Sequence, residues 1–596
     1  MDKSKVETCL KLMHRRGPDN ASAKHFRNAE GNHVSLLFAR LAIIDLDERA
    51  NQPLRLGAKW IVYNGELYNY LELRQELTEH KFTTQSDTEV MLSLLDRDGW
   101  ESLDRCEGMW ALAVYDEADG SVTLSRDRFG EKPLYLYRDP SGVYFGSEVK
   151  FIMALLGRRL EVDLDHLSRY LINGYKALYK NGQSFFKELS ELPPATVLRF
   201  DAHGSSQQNV YWRPRFDPEE TMSYADAVAG TRERMIRSVE LRLRADVPLA
   251  FCMSGGIDSN ALISIAKNVS GYDVHGFTIA NSDARYEEHD LVEHAIREQG
   301  LRHTSIPANT SDFLSKMRIL VRQHDAPVYT ITYYAHWLLM ESIAEHGYRI
   351  SVSGTAADEL FAGYYDHHLA YLYEVRQTPL FESSLNAWKE HVKPIVRNPH
   401  LSNPQLFIDN PEFRDHIFLD AASFAQYLTA DWGEAFSESH FTDSLLRNRM
   451  MNEMFHEAVP AILHEDDLNA MYFSIENRSP YLDRELFEFC YSIPSKHLIQ
   501  AGFSKSILRA AMRGIVPDRI LNSRRKVGFN APIFSFLDVH DPEVRAYLLD
   551  QSQIFDYVRR DKIEALIRKT DLPNSESKFL FYFLGSKIFL EEFAIA

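Results

Sequence analysis

The sequence predicts two unlike halves, an α+β domain of packed antiparallel sheets followed by an α/β domain on a parallel sheet with a helical C-terminal region. Three observations predict this. Up to about residue 201, short strand-like runs are separated by turn signals and only a few helix-like stretches intervene. From about residue 224, strand-like and helix-like runs alternate, the pattern of a parallel sheet with helices on both faces. At 596 residues the chain also exceeds what one core accommodates. The expected division is 1–205, a linker at 206–223, and 224–596.

In the first half, strands are expected at residues 34–38, 60–63, 110–115, 122–125, 134–137 and 143–146, and helices at 5–13, 68–78 and 87–95. Polar residues gather at their ends: Arg16-Gly17-Pro18-Asp19, Arg40, Asn64-Gly65-Glu66, Ser86-Asp87, and the run from Ser125 through Asp127 to Pro133. Singly, each has a plain explanation, since Gly-Pro and Asn-Gly are ordinary turns and a lone Arg or Glu is commonly solvated.

In the second half a helix at 227–243 precedes alternating runs at 249–253, 257–267, 274–279, 288–299, 303–306, 311–323, 334–346 and 348–352. A sheet of this kind binds ligands at the carboxyl ends of its strands. One such end carries Ser254-Gly255-Gly256-Ile257-Asp258-Ser259 between an apolar run and a helix. Glycines let the backbone approach an anion, successive N–H groups point at it, and the helix adds its positive end. The Ser254 and Ser259 hydroxyls add donors, and Asp258 suits a magnesium ion on phosphate oxygens. The string lacks both the lysine of a Walker loop and the triple glycine of a dinucleotide loop. A tight turn with capping serines is the plain alternative, outweighed by six residues in strand–turn–helix context.

Composition narrows the class. Hydrophobic content of 45% and charged content of 26% are those of a globular protein, and a net charge of −18 argues against a nucleic-acid or anionic-membrane partner. Cys9, Cys106, Cys252 and Cys490 are widely spaced with no zinc-type pairing, which suits a reducing cytoplasm. No apolar run has membrane-spanning length, and the charged start is unlike a signal core.

Taken in order, the first-half motifs Tyr63-Asn-Gly-Glu-Leu-Tyr-Asn69, Ser86-Asp-Thr-Glu-Val90 and Arg126-Asp-Arg-Phe-Gly-Glu-Lys-Pro-Leu-Tyr135 resemble the class II glutamine amidotransferases, an N-terminal-nucleophile-type sandwich fold. The resemblance implies that Arg40, Asn64, Glu66 and Asp87 bind the amino and carboxylate groups of glutamine, and that Asn64 with Gly65 forms the oxyanion hole. The 254–259 string resembles the pyrophosphate loop of the N-type ATP pyrophosphatases, a HUP-like fold, and the half around it is similar to the asparagine synthetases. That similarity implies ATP, with Met253 and Ile279 holding adenine and ribose by their backbone, and Ser353-Gly354 as a second ATP-contacting turn. It implies magnesium shared by Asp258 and Asp358, the latter in Asp358-Glu-Leu-Phe-Ala-Gly363-Tyr364, and charge neutralisation by Lys505 and Lys526 as pyrophosphate leaves. Glu476 and Arg478 read as an internal ion pair bracing the site.

Two departures stand out. Amidotransferases of this class begin Met-Cys and use the exposed cysteine as nucleophile, whereas this sequence begins Met1-Asp2-Lys3. The first strand and its cysteine are expected to be missing, through a degenerate glutaminase or a start assigned too far downstream. Cys9 is expected to be a packed thiol inside a helix. Asparagine synthetases also carry an acid as candidate base in the turn where this chain has Thr355, and a hydroxyl is no substitute for a carboxylate at neutral pH. The hydroxyl-rich stretch from Asp325 to Tyr334 suggests a larger or sugar-like acceptor.

The resemblance thus implies an ATP-dependent amide-forming ligase: a small-molecule carboxylate is activated as acyl-AMP and attacked by ammonia, supplied by glutamine or free ammonium. The alternatives are a ligase for a non-aspartate carboxylate such as a sugar acid, and a non-catalytic ATP-binding or assembly protein. A homodimer is compatible with the resemblance.

Overall fold

The computed structural model describes residues 2–280, 288–307, 312–418, 420–525, 533–570 and 572–594. The first half is layered around a six-stranded antiparallel sheet of order β11-β10-β6-β5-β4-β3. Its strands are β3 (Leu54–Leu56), β4 (Lys59–Leu67), β5 (Gly108–Asp116), β6 (Val122–Arg126), β10 (Thr196–Phe200) and β11 (Ser206–Val210). Alternation along these strands gives the sheet two apolar faces. Ile61, Tyr63, Leu112 and Val114 pack with Val90, Met91 and Leu94 of α3 (Asp87–Asp98), behind α2 (Tyr70–Glu76). Val62, Ala111, Ala113 and Leu124 pack with Leu36 of β2 (His33–Arg40) and with Leu134 and Leu192.

That second face is covered by two smaller sheets, β2 paired with β1 (Asn20–Arg27), and β8-β7-β9 formed by β7 (Tyr135–Asp139), β8 (Gly142–Gly146) and β9 (Leu189–Glu191). α1 (Lys3–Met13), capped by the Asp2 side chain on the Ser4 N–H, packs beside α4 (Val149–Leu156). All six strands expected here are present. β1, β3, β9, β10 and β11 were not expected, and β11, exposed throughout, shows why: an edge strand without an apolar face leaves no alternation to read.

The second half is built on a five-stranded all-parallel sheet of order β14-β13-β12-β15-β16. The strands are β12 (Leu249–Cys252), β13 (His275–Ala280), β14 (Arg302–Pro307), β15 (Ile350–Val352) and β16 (Glu476–Arg478). Helices α6 (Tyr224–Arg242), α7 (Ile257–Ser264), α8 (His289–Gln299), α9 (Phe313–His324) and α10 (Ile331–Glu345) follow α5 (Leu164–Asn173) in sequence. Leu249 and Phe251 share one core with Ile257, Ala261 and Leu262 of α7, whereas Ala250 shares another with Leu339, Met340 and Ile343 of α10. Both faces of the sheet are therefore covered. Strand order turns back at β12, which lies between β13 and β15, so the loops after β12 and β15 flank the topological switch point.

The region from 366 to 456, which carries no recognisable motif, supplies core: Tyr371, Trp388, Phe407, Leu446 and Met450 are buried in the cluster that covers β12. Among the described residues no helix is long and apolar enough to cross a membrane.

The halves meet through buried ion pairs. Arg16 reaches Glu148 at 3.1 Å and Asp467 at 2.7 Å, Lys132 reaches Asp467 at 3.3 Å, and Lys150 bridges Glu148 at 2.5 Å and Asp325 at 3.1 Å. Burial alone would raise the Asp467 carboxyl, but Arg16 and Lys132 hold it below the usual carboxylate range.

Candidate active site

The 254–259 loop leaves β12 and enters α7 as expected. Its hydroxyls meet, Ser254 Oγ lying 3.1 Å from Ser259 Oγ, and Ser259 Oγ also accepts the Ser254 N–H at 3.1 Å. Asn260 Nδ2 donates to the carbonyls of Ser254 at 2.9 Å and Gly256 at 2.7 Å, which fixes the turn. The Gly255 N–H donates at 3.0 Å to Glu288 Oε2, so a carboxylate already occupies one of the loop's anion-facing donors. The Glu288 contact, 33 residues away in sequence, was not foreseen.

Around this loop the other strand ends converge. Met253 follows β12, its N–H bonded to the Phe277 carbonyl at 2.8 Å and its carbonyl accepting Thr278 Oγ1 at 2.8 Å; Ile279 lies near the end of the neighbouring β13. Ser353 and Gly354 follow β15, and a Cβ on Gly354 would stand 3.1 Å from Asp258 Cβ. Lys505 Nζ lies 2.6 Å from both carboxylate oxygens of Asp258 and 2.7 Å from Asp358 Oδ1. The Tyr481 hydroxyl donates to the Asp258 carbonyl at 2.9 Å, a brace that had no assigned role. Two hard carboxylates facing one cation make an oxygen donor set suited to Mg2+, with the ammonium standing where positive charge belongs. Lys526 lies outside the described residues.

The backbone here is strained. Ala356 (φ 76°), Ala362 (φ 56°) and Lys505 (φ 55°) all occupy the left-handed region, which costs a non-glycine residue of order 1 kcal/mol or more. A Cβ on Gly363 would fall 1.7 Å from Asp358 Oδ1 and 2.4 Å from Lys505 Cε, so both side chains would have to leave their present positions to admit one. Glu359, buried beside Asp358, has its carboxyl pushed up to about 7 by burial and by that neighbouring charge, and accepts the Tyr364 hydroxyl at 2.6 Å.

Thr355 hydrogen-bonds Ser353 Oγ at 3.1 Å and Asp466 Oδ2 at 3.3 Å. Glu476 and Arg478 form the expected buried pair at 2.8 Å. In the stretch from Asp325 to Tyr334, Asp325 pairs with Lys150 and the Tyr329 hydroxyl meets that of Tyr179 at 2.9 Å, so these two residues contact the first half.

In the first half, Arg40, Asn64, Gly65, Glu66 and Asp87 all line one cavity of about 1120 Å³, bounded by β2 and β8. Arg40 donates to the carbonyls of Asp47 and Asp45 and to Asn51 Oδ1, which aims its guanidinium from a buried position. Asn64 Nδ2 donates to Ser147 Oγ at 3.2 Å. Gly65 (φ 154°) passes so close to β5 that a Cβ would lie 2.0 Å from the Met109 carbonyl oxygen. Asp87, accepting the Leu67 N–H at 2.9 Å, is pushed up to about 6 by burial, and burial beside Asp87 and Glu476 pushes Glu66 well above its usual value.

Cys9 lies in α1, and burial pushes its thiol up to about 12; burial likewise raises Cys106, Cys252 and Cys490. None of the four is an activated thiolate.

Comparison with known proteins accounts for both halves. Residues 230–588 match the asparagine synthase family and residues 1–212 match the glutamine amidotransferase domain family. The chain is 27% identical over 571 residues to glutamine-hydrolyzing asparagine synthetase 1 of Bacillus subtilis, covering 93% of this chain and 88% of that protein. It is 28% identical over 556 residues to synthetase 3 of the same organism, covering 88% and 84%. It is also 25% identical over 587 residues to amidase chry2 of Gibberella zeae, covering 87% and 84%.

Proposed function

Because the chain belongs to the asparagine synthase family, we propose that it is an ATP-dependent carbon–nitrogen ligase that activates a carboxylate as acyl-AMP and converts it to an amide. In the first step a carboxylate oxygen attacks the α-phosphorus of ATP and pyrophosphate leaves. In the second, ammonia displaces AMP from the acyl carbon. The observation that carries this reading is the Lys505 ammonium held within 2.7 Å of Asp258 and Asp358 beside the glycine loop.

The N–H groups of Gly255 and Gly256 and the hydroxyls of Ser254 and Ser259 receive phosphate oxygens, displacing the Glu288 carboxylate from Gly255. Met253 and Ile279 present backbone to adenine and ribose, and Ser353 with Gly354 closes the other side. Asp258 and Asp358 would hold Mg2+, which supplies charge neutralisation on the departing pyrophosphate. Lys505, released from those carboxylates, shares that task with Lys526. In the other half Arg40, Glu66 and Asp87 grip the polar ends of glutamine, and Asn64 with Gly65 receives the amide oxygen.

Carboxylate-dependent exchange of labelled pyrophosphate into ATP tests the first step, with aspartate, glutamate, glucuronate and galacturonate as probes. Exchange with at least one is expected; none with any would overturn the reading. AMP and amide formation with ammonium and with glutamine, read beside glutamate release, then identifies the nitrogen donor.

Thr355 favours a second reading for the acceptor, a carboxylate other than aspartate, because the turn lacks the acid that the resemblance to asparagine synthetases calls for. A uronate outrunning aspartate supports it; aspartate faster than all others by about tenfold, or 1.4 kcal/mol, overturns it.

A further inference from the structure

Amide formation needs a proton acceptor at the acyl carbon, and the Thr355 hydroxyl is none at neutral pH. The fold brings a carboxylate to that hydroxyl from another element. Asp466, on the helix Val459–Tyr472 and 6% exposed, accepts from Thr355 Oγ1 at 3.3 Å and stands 3.5 Å from Asn477 Nδ2, both through Oδ2. Its Oδ1 lies 3.6 Å from His336 Nδ1 on α10. These contacts are long, so among the described residues the carboxylate keeps unused acceptor capacity. His336 Nδ1 also lies 3.2 Å from Asn469 Nδ2, and its Nε2 is a buried atom with no hydrogen-bond partner among the described residues. A partly satisfied buried polar set beside a nucleotide turn is poised to receive a ligand.

We propose that Asp466 is the general base of the amide-forming step, positioned by Thr355 and His336. This rests on the reaction proposed above. The ammonia lone pair forms the C–N bond, the C–O bond to AMP breaks with its electron pair on the phosphate oxygen, and one N–H proton passes to the Asp466 carboxylate and then to water. Burial raises the Asp466 carboxyl, His336 and the Thr355 hydroxyl oppose this, and Glu465 and Asp467 raise it further; such a group holds a proton better than a solvated carboxylate.

The test separates the two steps. With the probe carboxylate that exchanges fastest in the unaltered protein, D466N is expected to keep pyrophosphate exchange within about threefold while amide formation from ammonium falls 10²- to 10³-fold, the scale of general-base loss. D466E restores part of that loss, and T355V lowers amide formation by about tenfold more than it lowers exchange. Amide formation by D466N within tenfold of the unaltered protein overturns the proposal, as does a parallel fall in exchange and amide formation. If D466N does not fold, T355V decides on the same criterion. Absence of exchange in the unaltered protein instead overturns the reaction itself, which keeps the two failures apart.

Discussion

The two halves hold their functional side chains in opposite ways. Around the nucleotide loop, charges are in contact: one ammonium lies within 2.7 Å of two carboxylates, a glycine backbone donor engages a third, and three non-glycine residues are bent into the left-handed region. Around Arg40 and Asp87 the polar groups instead line a hollow of about 1120 Å³, where Asp87 and Glu66 resist ionisation. The first site is pre-tensioned and intolerant of added atoms. The second is spacious, and what governs it is the cost of burying acid groups without enough countercharge.

The largest expected effect tests the tight site. Gly363→Ala places a Cβ 1.7 Å from Asp358 Oδ1 and should abolish pyrophosphate exchange; an active variant would show that this packing is not required. Next, Lys505→Ala should lower exchange by about 10²- to 10³-fold, the usual cost of removing a transition-state cation or donor, and Lys505→Arg should not recover it. A loss confined to KM would mean that Lys505 only binds ATP.

The junction tells whether the halves are separable. Arg16→Ala leaves buried Asp467 with Lys132 as its remaining cation and buried Glu148 with Lys150, and should cost at most about 3–5 kcal/mol in denaturant unfolding, the penalty for breaking a buried pair. A shift below about 1 kcal/mol would mean that Lys132 and Lys150 hold the junction without Arg16. The smallest effect probes the hollow. Asp87 titrates near 6 when folded and about 3.9 when unfolded, so the folded chain binds the extra proton between those values. Its contribution is fully present below about pH 4 and lost as pH rises through 6, a change of about 2–3 kcal/mol. Asp87→Asn should therefore gain stability relative to the unaltered protein between pH 4 and 7.5, read from urea midpoints; a pH-independent difference would place the proton elsewhere.

What the sequence disclosed followed range along the chain. The glycine loop, Asp358 and Lys505 sit in compact strings whose strand–turn–helix context is local, so their convergence could be expected from strings and topology together. Asp466 and Glu288 could not be read that way. They reach their partners across 111 and 33 residues, and each lies in a helical run where an acid has an ordinary solvated explanation. The Arg16–Asp467 contact spans 451 residues, and pairing at that range leaves no trace in periodicity. The exposed edge strands were illegible for a different reason, since nothing apolar marks them.

The helix Val459–Tyr472 carries three consecutive acids whose side chains fan out about 100° apart. Glu465 accepts the Tyr329 N–H at 2.8 Å, Asp466 meets Thr355, and Asp467 is gripped by Arg16 and Lys132. Each tooth meshes with a different part of the molecule. The helix is thus geared to the junction, the nucleotide turn and the amidotransferase half at once, and a slip of one residue in its register would disengage all three together.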